Sequence, residues 1–121
     1  MARATVHPNH TLISSDDVQN TNVYGPNDDK IGAIDHLMID KVSGRVTYAV
    51  MSFGGILGLG HSHYPVPWAV LTYDTSLGGY RTNITEAQLR DSPQFSDDDW
   101  ANRDWENRVH RHYNVSPYWG L

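Results

Sequence analysis

The stretch Arg45-Val46-Thr47-Tyr48-Ala49-Val50-Met51-Ser52-Phe53, followed by Gly54-Gly55, decides the fold class of this chain. Side chains alternate across a strand, so Val46, Tyr48 and Val50 share one face while Ala49, Met51 and Phe53 share the other. Both faces are apolar, and both therefore ask for burial: one in a core, the other under the chain's own tail or a second subunit. Upstream, the turn Lys41-Val42-Ser43-Gly44 separates this strand from a second at Lys30 to Asp40. Gly25-Pro26-Asn27-Asp28-Asp29 then separates that one from a third at Asn22 to Tyr24.

Downstream, Tyr64 to Tyr73 reads as one strand interrupted by Pro65 and Pro67, whose missing N–H groups leave one edge unpaired or bulged. Leu77-Gly78-Gly79 turns into a last strand, Tyr80 to Ile84. Thr85 and Gln88 have capping-box spacing for a short helix ending before Pro93. Ser14 and Asp17 bracket a helical turn near the start. The expected fold is mainly β: a small antiparallel β-barrel over 12–95, with short helical turns and a C-terminal amphipathic helix.

Residues 1–11 are polar without period and read as a flexible arm. A different composition begins at Ser96, which is placed to cap a helix carrying Asp97, Asp98 and Asp99 in its first turn and running to about Tyr113. Helical spacing puts Ala101, Trp105, Val109, His112 and Tyr113 on one face, and Asp99, Arg103, Asp104, Glu106, Arg108 and Arg111 around the rest. The third segment, 96–121, is thus a helix with an aromatic tail ending in Tyr118 and Trp119. Folding back onto the outer face of 45–53 is one use for it; exchange between subunits or docking to another protein is the other. Trp100, off the apolar face, is the first candidate for an external contact, with Trp105 and Trp119 beside it.

The 121 residues suit one domain, and a net charge of −5 works against a nucleic-acid partner. The absence of cysteine excludes disulfides, thiolate metal sites and a cysteine nucleophile. Neither a signal peptide nor an apolar run long enough for membrane insertion stands out, so cytoplasmic is the expected location. The sequons at Asn9, Asn83 and Asn114 are then chance.

Gly54-Gly55-Ile56-Leu57-Gly58-Leu59-Gly60 resembles a phosphate cradle only in its glycines. It lacks the Gly-Lys-Ser/Thr ending of a P-loop and leads into His61-Ser62-His63 and a strand rather than a helix. It reads as a connection whose Ile56, Leu57 and Leu59 cap the barrel or meet a partner. His61 and His63, at i and i+2 of a strand, form the one metal-like pair, with no sequence-local third ligand. Ser62 lacks the surroundings of a nucleophile elbow, and His110 and His112 lie too far apart around a helix to chelate and read as surface and face residues. Asp35 falls on the apolar side of its strand, so it sits either at a bulge or buried with partners; Asp40 beside Ser43-Gly44 is turn chemistry.

Leu12 to Phe95 resembles the PRC-barrel family, the domain shared by the cytoplasmic part of the photosynthetic reaction-centre H subunit and a ribosome-maturation factor. The resemblance lies in Val23-Tyr24-Gly25, in Lys30-Ile31-Gly32-Ala33-Ile34-Asp35-His36-Leu37-Met38-Ile39-Asp40, and in Gly44 to Gly55. Val66-Pro67-Trp68 and Tyr80 to Leu89 complete it. The tail Trp105 to Trp119, with Tyr113-Asn114-Val115-Ser116-Pro117-Tyr118-Trp119, is similar to the ending of small stand-alone bacterial members. The resemblance implies a compact barrel for protein interaction and assembly with no catalytic constellation to carry over. The leading expectation is therefore a non-catalytic module with no cofactor and an unspecified protein partner, forming a homo-oligomer through an apolar strand face or the aromatic tail. The alternative is a metal- or small-ligand-binding domain using the His61/His63 loop.

Overall fold

The computed structural model describes residues 11–53 and 62–119. A short helix α1 (Ser15–Val18) leads into strand β1 (Asn22–Tyr24), then β2 (Lys30–Ile39), β3 (Val46–Phe53) and β4 (Ser62–Pro67). A 3-10 turn (Trp68–Val70) precedes β5 (Thr72–Asp74), β6 (Gly79–Arg81) and helix α2 (Glu86–Arg90). A second 3-10 turn (Asp97–Ala101) precedes helix α3 (Arg103–His112). The strands form one six-stranded sheet in the order β4-β3-β2-β1-β6-β5.

Two features depart from the antiparallel barrel that the turns imply. The stretch 64–73 is two strands, not one, because the chain leaves the sheet at Pro67 and makes a 3-10 turn before β5. And β6 pairs with β1 in parallel, Val23 opposite Tyr80. The result among the described residues is an open sheet with β4 and β5 as its edges. On β4 the edge is blunted by its own sequence: Pro65 and Pro67 sit opposite Val50 and Tyr48, and neither can offer an N–H to a further strand.

The long β2–β3 pair is the backbone of the sheet. Two irregularities shape it: a shift between Ile34 and His36, which makes Asp35 the bulged residue, and a second where Thr47 is extra, its hydroxyl donating to the Met38 carbonyl at 2.8 Å. Of the two readings open for Asp35 the bulge is the one adopted, and the side chain is exposed. Gly32 lies where a Cβ would stand 2.5 Å from the Ser52 carbonyl oxygen, so the two strands approach closely there only because no side chain intervenes.

As the alternation in 45–53 demands, Thr47 through Met51 are all buried. Val23, Ile34, Ala49, Met51, Val66 and Leu89 join Tyr48, Trp105, Val109 and Tyr113 in one core cluster, so the C-terminal segment belongs to the same core as the sheet.

Candidate interaction surface

The tail covers the sheet through local capping followed by aromatic packing. Ser96 and Asp99 make a capping box around the first turn, but the helix does not continue from it. Asn102 breaks the run and caps α3 anew, its side chain accepting from the Asp104 and Trp105 N–H groups at 3.0 and 3.2 Å. The break rotates α3 relative to the expected continuous helix: Trp105, Glu106, Val109 and His110 are its buried residues, while Ala101 is exposed.

Glu106, expected on the outer side, is therefore inside, only 5% exposed. Its Oε1 accepts from the Tyr48 hydroxyl at 2.7 Å and from the Tyr118 hydroxyl at 2.9 Å, and its Oε2 lies 3.4 Å from Arg103 Nε. Three donors compensate the burial of one carboxylate. Burial, reinforced by the Glu106 hydrogen bond and charge, raises the Tyr48 hydroxyl far above an ordinary phenol; the same causes push Tyr118 up to about 12. His110, expected at the surface, is buried as well; its Nδ1 lies 2.7 Å from the Glu106 carbonyl and its ring meets those of Tyr48, Tyr118 and Trp119. Sequence periodicity missed both residues. The available signal was Tyr48 itself, whose hydroxyl, buried on a central strand, needs a partner that only a distant element can supply.

The tryptophans expected as external anchors are placed unequally. Trp105 is 1% exposed and its indole donates to the Gln94 carbonyl at 2.9 Å, so it anchors the core and offers nothing to a partner. Trp100 is half-buried, with ring centroids 5.4 Å from Tyr48 and 4.8 Å from Phe95. These ring contacts hold it against the sheet, and the part of the ring that stays accessible is what remains of the external contact expected there. Trp119 is half-buried, with the Arg103 guanidinium stacked 3.8 Å over its ring.

Ile56, Leu57, Leu59 and His61 lie outside the described residues. His63 is on β4 opposite Ser52, and its Nε2 is 3.8 Å from Asp35 Oδ1. Asp35 Oδ2 is 2.7 Å from His36 Nδ1. The His36 hydrogen bond first, and the His63 charge after a small opposing desolvation, hold the Asp35 carboxyl below the usual carboxylate range. Among the described residues no group of three or more histidine or carboxylate side chains is arranged to hold a metal ion. No helix among them is long and apolar enough to cross a membrane.

A further surface feature among the described residues is the β2–β3 hairpin tip. Asp40 N–H donates to the Arg45 carbonyl and Gly44 N–H to the Asp40 carbonyl, both at 2.8 Å, while Asp40 Oδ2 accepts from Ser43 N–H at 2.9 Å. Gly44 takes φ +77°, which closes the turn. The Ser43 hydrogen bonds, with Arg103 and Arg45 adding their charge, hold the Asp40 carboxyl low. At this rigid tip Val42 is 94% and Ile39 54% exposed, flanked by exposed Lys41 and Arg45.

A family-wide sequence profile described as "PRC-barrel domain" matches residues 10–89. The chain belongs to the PRC-barrel family. No curated protein matches this PRC-barrel chain. Among solved structures it is similar to a putative 16S ribosomal RNA processing protein, RimM, from Pseudomonas aeruginosa, at 17% identity and a TM-score of 0.41. That similarity covers 71% of this chain and 50% of the other, so the PRC-barrel chain spans half the length of its structural neighbour.

Proposed function

We propose that this PRC-barrel chain is a non-catalytic protein-interaction and assembly module of the cytoplasm, acting by docking to protein, with copies of itself among its partners. The observation that carries the reading is the family match over residues 10–89, which includes the whole sheet and the β2–β3 hairpin. The chemistry of the interior agrees with it: Glu106, Tyr48, Tyr118 and His110 are committed to one another in holding the tail against the sheet. What the described surface offers instead is a rigid turn presenting apolar side chains to solvent, as interaction surfaces do.

The test is competitive capture with the full chain. Tagged protein, immobilised, retains a protein partner that an excess of untagged chain displaces. Retention of nothing that the untagged chain competes away, the chain itself included, refutes the module reading.

A further inference from the structure

Two oppositely charged, partly apolar segments meet the first residues of β3, one through its hairpin and the other through the Trp100 ring on Tyr48. The first is the hairpin tip, with Ile39, Val42, Lys41 and Arg45. The second is the 3-10 turn at 97–101, where Asp97 and Asp98 are exposed beside half-buried Phe95 and Trp100. Their neighbourhood follows from the register. Ile39 pairs with Val46, two residues from Tyr48, and Tyr48 carries the Trp100 ring. Arg103, two residues after the acidic turn ends at Ala101, adds its charge to that of Arg45 at Asp40.

Neither Lys41 nor Arg45, and neither Asp97 nor Asp98, forms an ion pair among the described residues. Each surface is fixed by its own backbone: the tip by the Asp40–Ser43–Gly44 bonds, the acidic turn by the Ser96–Asp99 capping box. Preorganised surfaces lose little entropy on docking. A basic patch beside an acidic patch on one molecule is self-complementary under a two-fold rotation, because each copy's tip then meets the other copy's acidic turn.

We infer that the β2–β3 hairpin tip docks onto the Asp97–Asp98 turn of a second copy of this chain, reciprocally, with Val42 and Ile39 against Phe95 and Trp100 and with Lys41 and Arg45 against Asp97 and Asp98. This rests on the assembly reading above and names its surface and partner. The contact is small beside the roughly 1,600 Å² of a standard interface, so the pair is weak and reversible, in the micromolar range or above.

Sedimentation velocity on the full chain from about 10 μM to 1 mM tests it. Two charge-reversed chains are compared with wild type, one carrying Lys41→Glu and Arg45→Glu, the other Asp97→Lys and Asp98→Lys. All four residues are exposed. Each variant alone is expected to associate at least tenfold more weakly than wild type, since like charges then face each other, and a 1:1 mixture of the two is expected to recover the pair as a heterodimer. Val42→Asp, at a residue with no burial at stake, is expected to weaken association likewise.

A wild-type chain that stays monomeric to about 1 mM, variants that associate as wild type does, or a mixture that fails to recover overturns the inference. If competitive capture of a foreign protein persists in that case, the module reading stands for foreign partners and its self-association falls. If capture is lost too, both fall.

Discussion

Replacing Tyr48 by Phe removes one hydroxyl from the junction between sheet and tail and leaves the packing intact. The ring is 1% exposed and stays buried among Trp100, Trp105, His110 and Tyr118. What disappears is a 2.7 Å hydrogen bond to Glu106 Oε1. Bonds to a charged acceptor contribute about 1.5–3 kcal/mol. Glu106 keeps Tyr118 at 2.9 Å and Arg103 at 3.4 Å, so the carboxylate is not orphaned and the cost falls at the lower end, about 1.5–2 kcal/mol. For a domain of this size that corresponds to a fall in Tm of about 5–10 °C. Urea unfolding should be followed both by far-ultraviolet circular dichroism and by tryptophan fluorescence, since three of the 4 tryptophans, Trp100, Trp105 and Trp119, lie in the tail. The two signals are expected to shift together, with unchanged slope, because tail and sheet share one core. A loss within about 0.5 kcal/mol of zero refutes the weight given to this bond; fluorescence unfolding ahead of circular dichroism refutes the single core.

Stability should also fall in alkali. Burial raises Tyr113 to about 12, despite the lowering influence of nearby Ser92, and Tyr118 rises to about 12 as well. A phenol whose folded pKa lies above its unfolded value of about 10 contributes fully below pH 10 and loses that contribution as pH rises toward 12. Tyr113 alone is worth about 3 kcal/mol over that interval, and denaturant titrations at pH 8, 10 and 11 that give equal stabilities contradict the burial of these hydroxyls. Gly32→Ala drives a methyl to 2.5 Å from the Ser52 carbonyl oxygen, which β2 and β3 relieve only by parting. The expected loss is about 2–4 kcal/mol, read by thermal melting, and a neutral substitution there shows that the strands yield more than the register implies.

Much of this PRC-barrel chain was legible residue by residue. Strand alternation in 45–53, the Asp40–Gly44 turn and the Thr85–Gln88 capping box are local consequences of side-chain type and backbone sterics, and the structure realises each; at Asp35 two readings were open and the sheet register chose the bulge. The fate of the tail was not legible. A helix assumed continuous from Ser96 puts Glu106 and His110 on the wrong side. The actual break at Asn102 is one of two locally acceptable caps, and packing chooses between them: with the break in place, Trp105 enters the core and Glu106 meets the Tyr48 hydroxyl 58 residues away in sequence.

The parallel pairing of β1 with β6 and the open edges at β4 and β5 are likewise beyond local pattern, because alternation states which faces are apolar and not which strand lies beside which. The sequence by itself therefore determined the first three strands, the turns between them and the need to cover both faces of β3, but not the split after Pro67 or the break at Asn102. Only the tertiary structure decided what does the covering, since that depends on distant groups satisfying one another's burial. In doing so it withdrew Trp105 from the surface, left Trp100 half-buried, and left Ile39 and Val42 exposed on the hairpin tip.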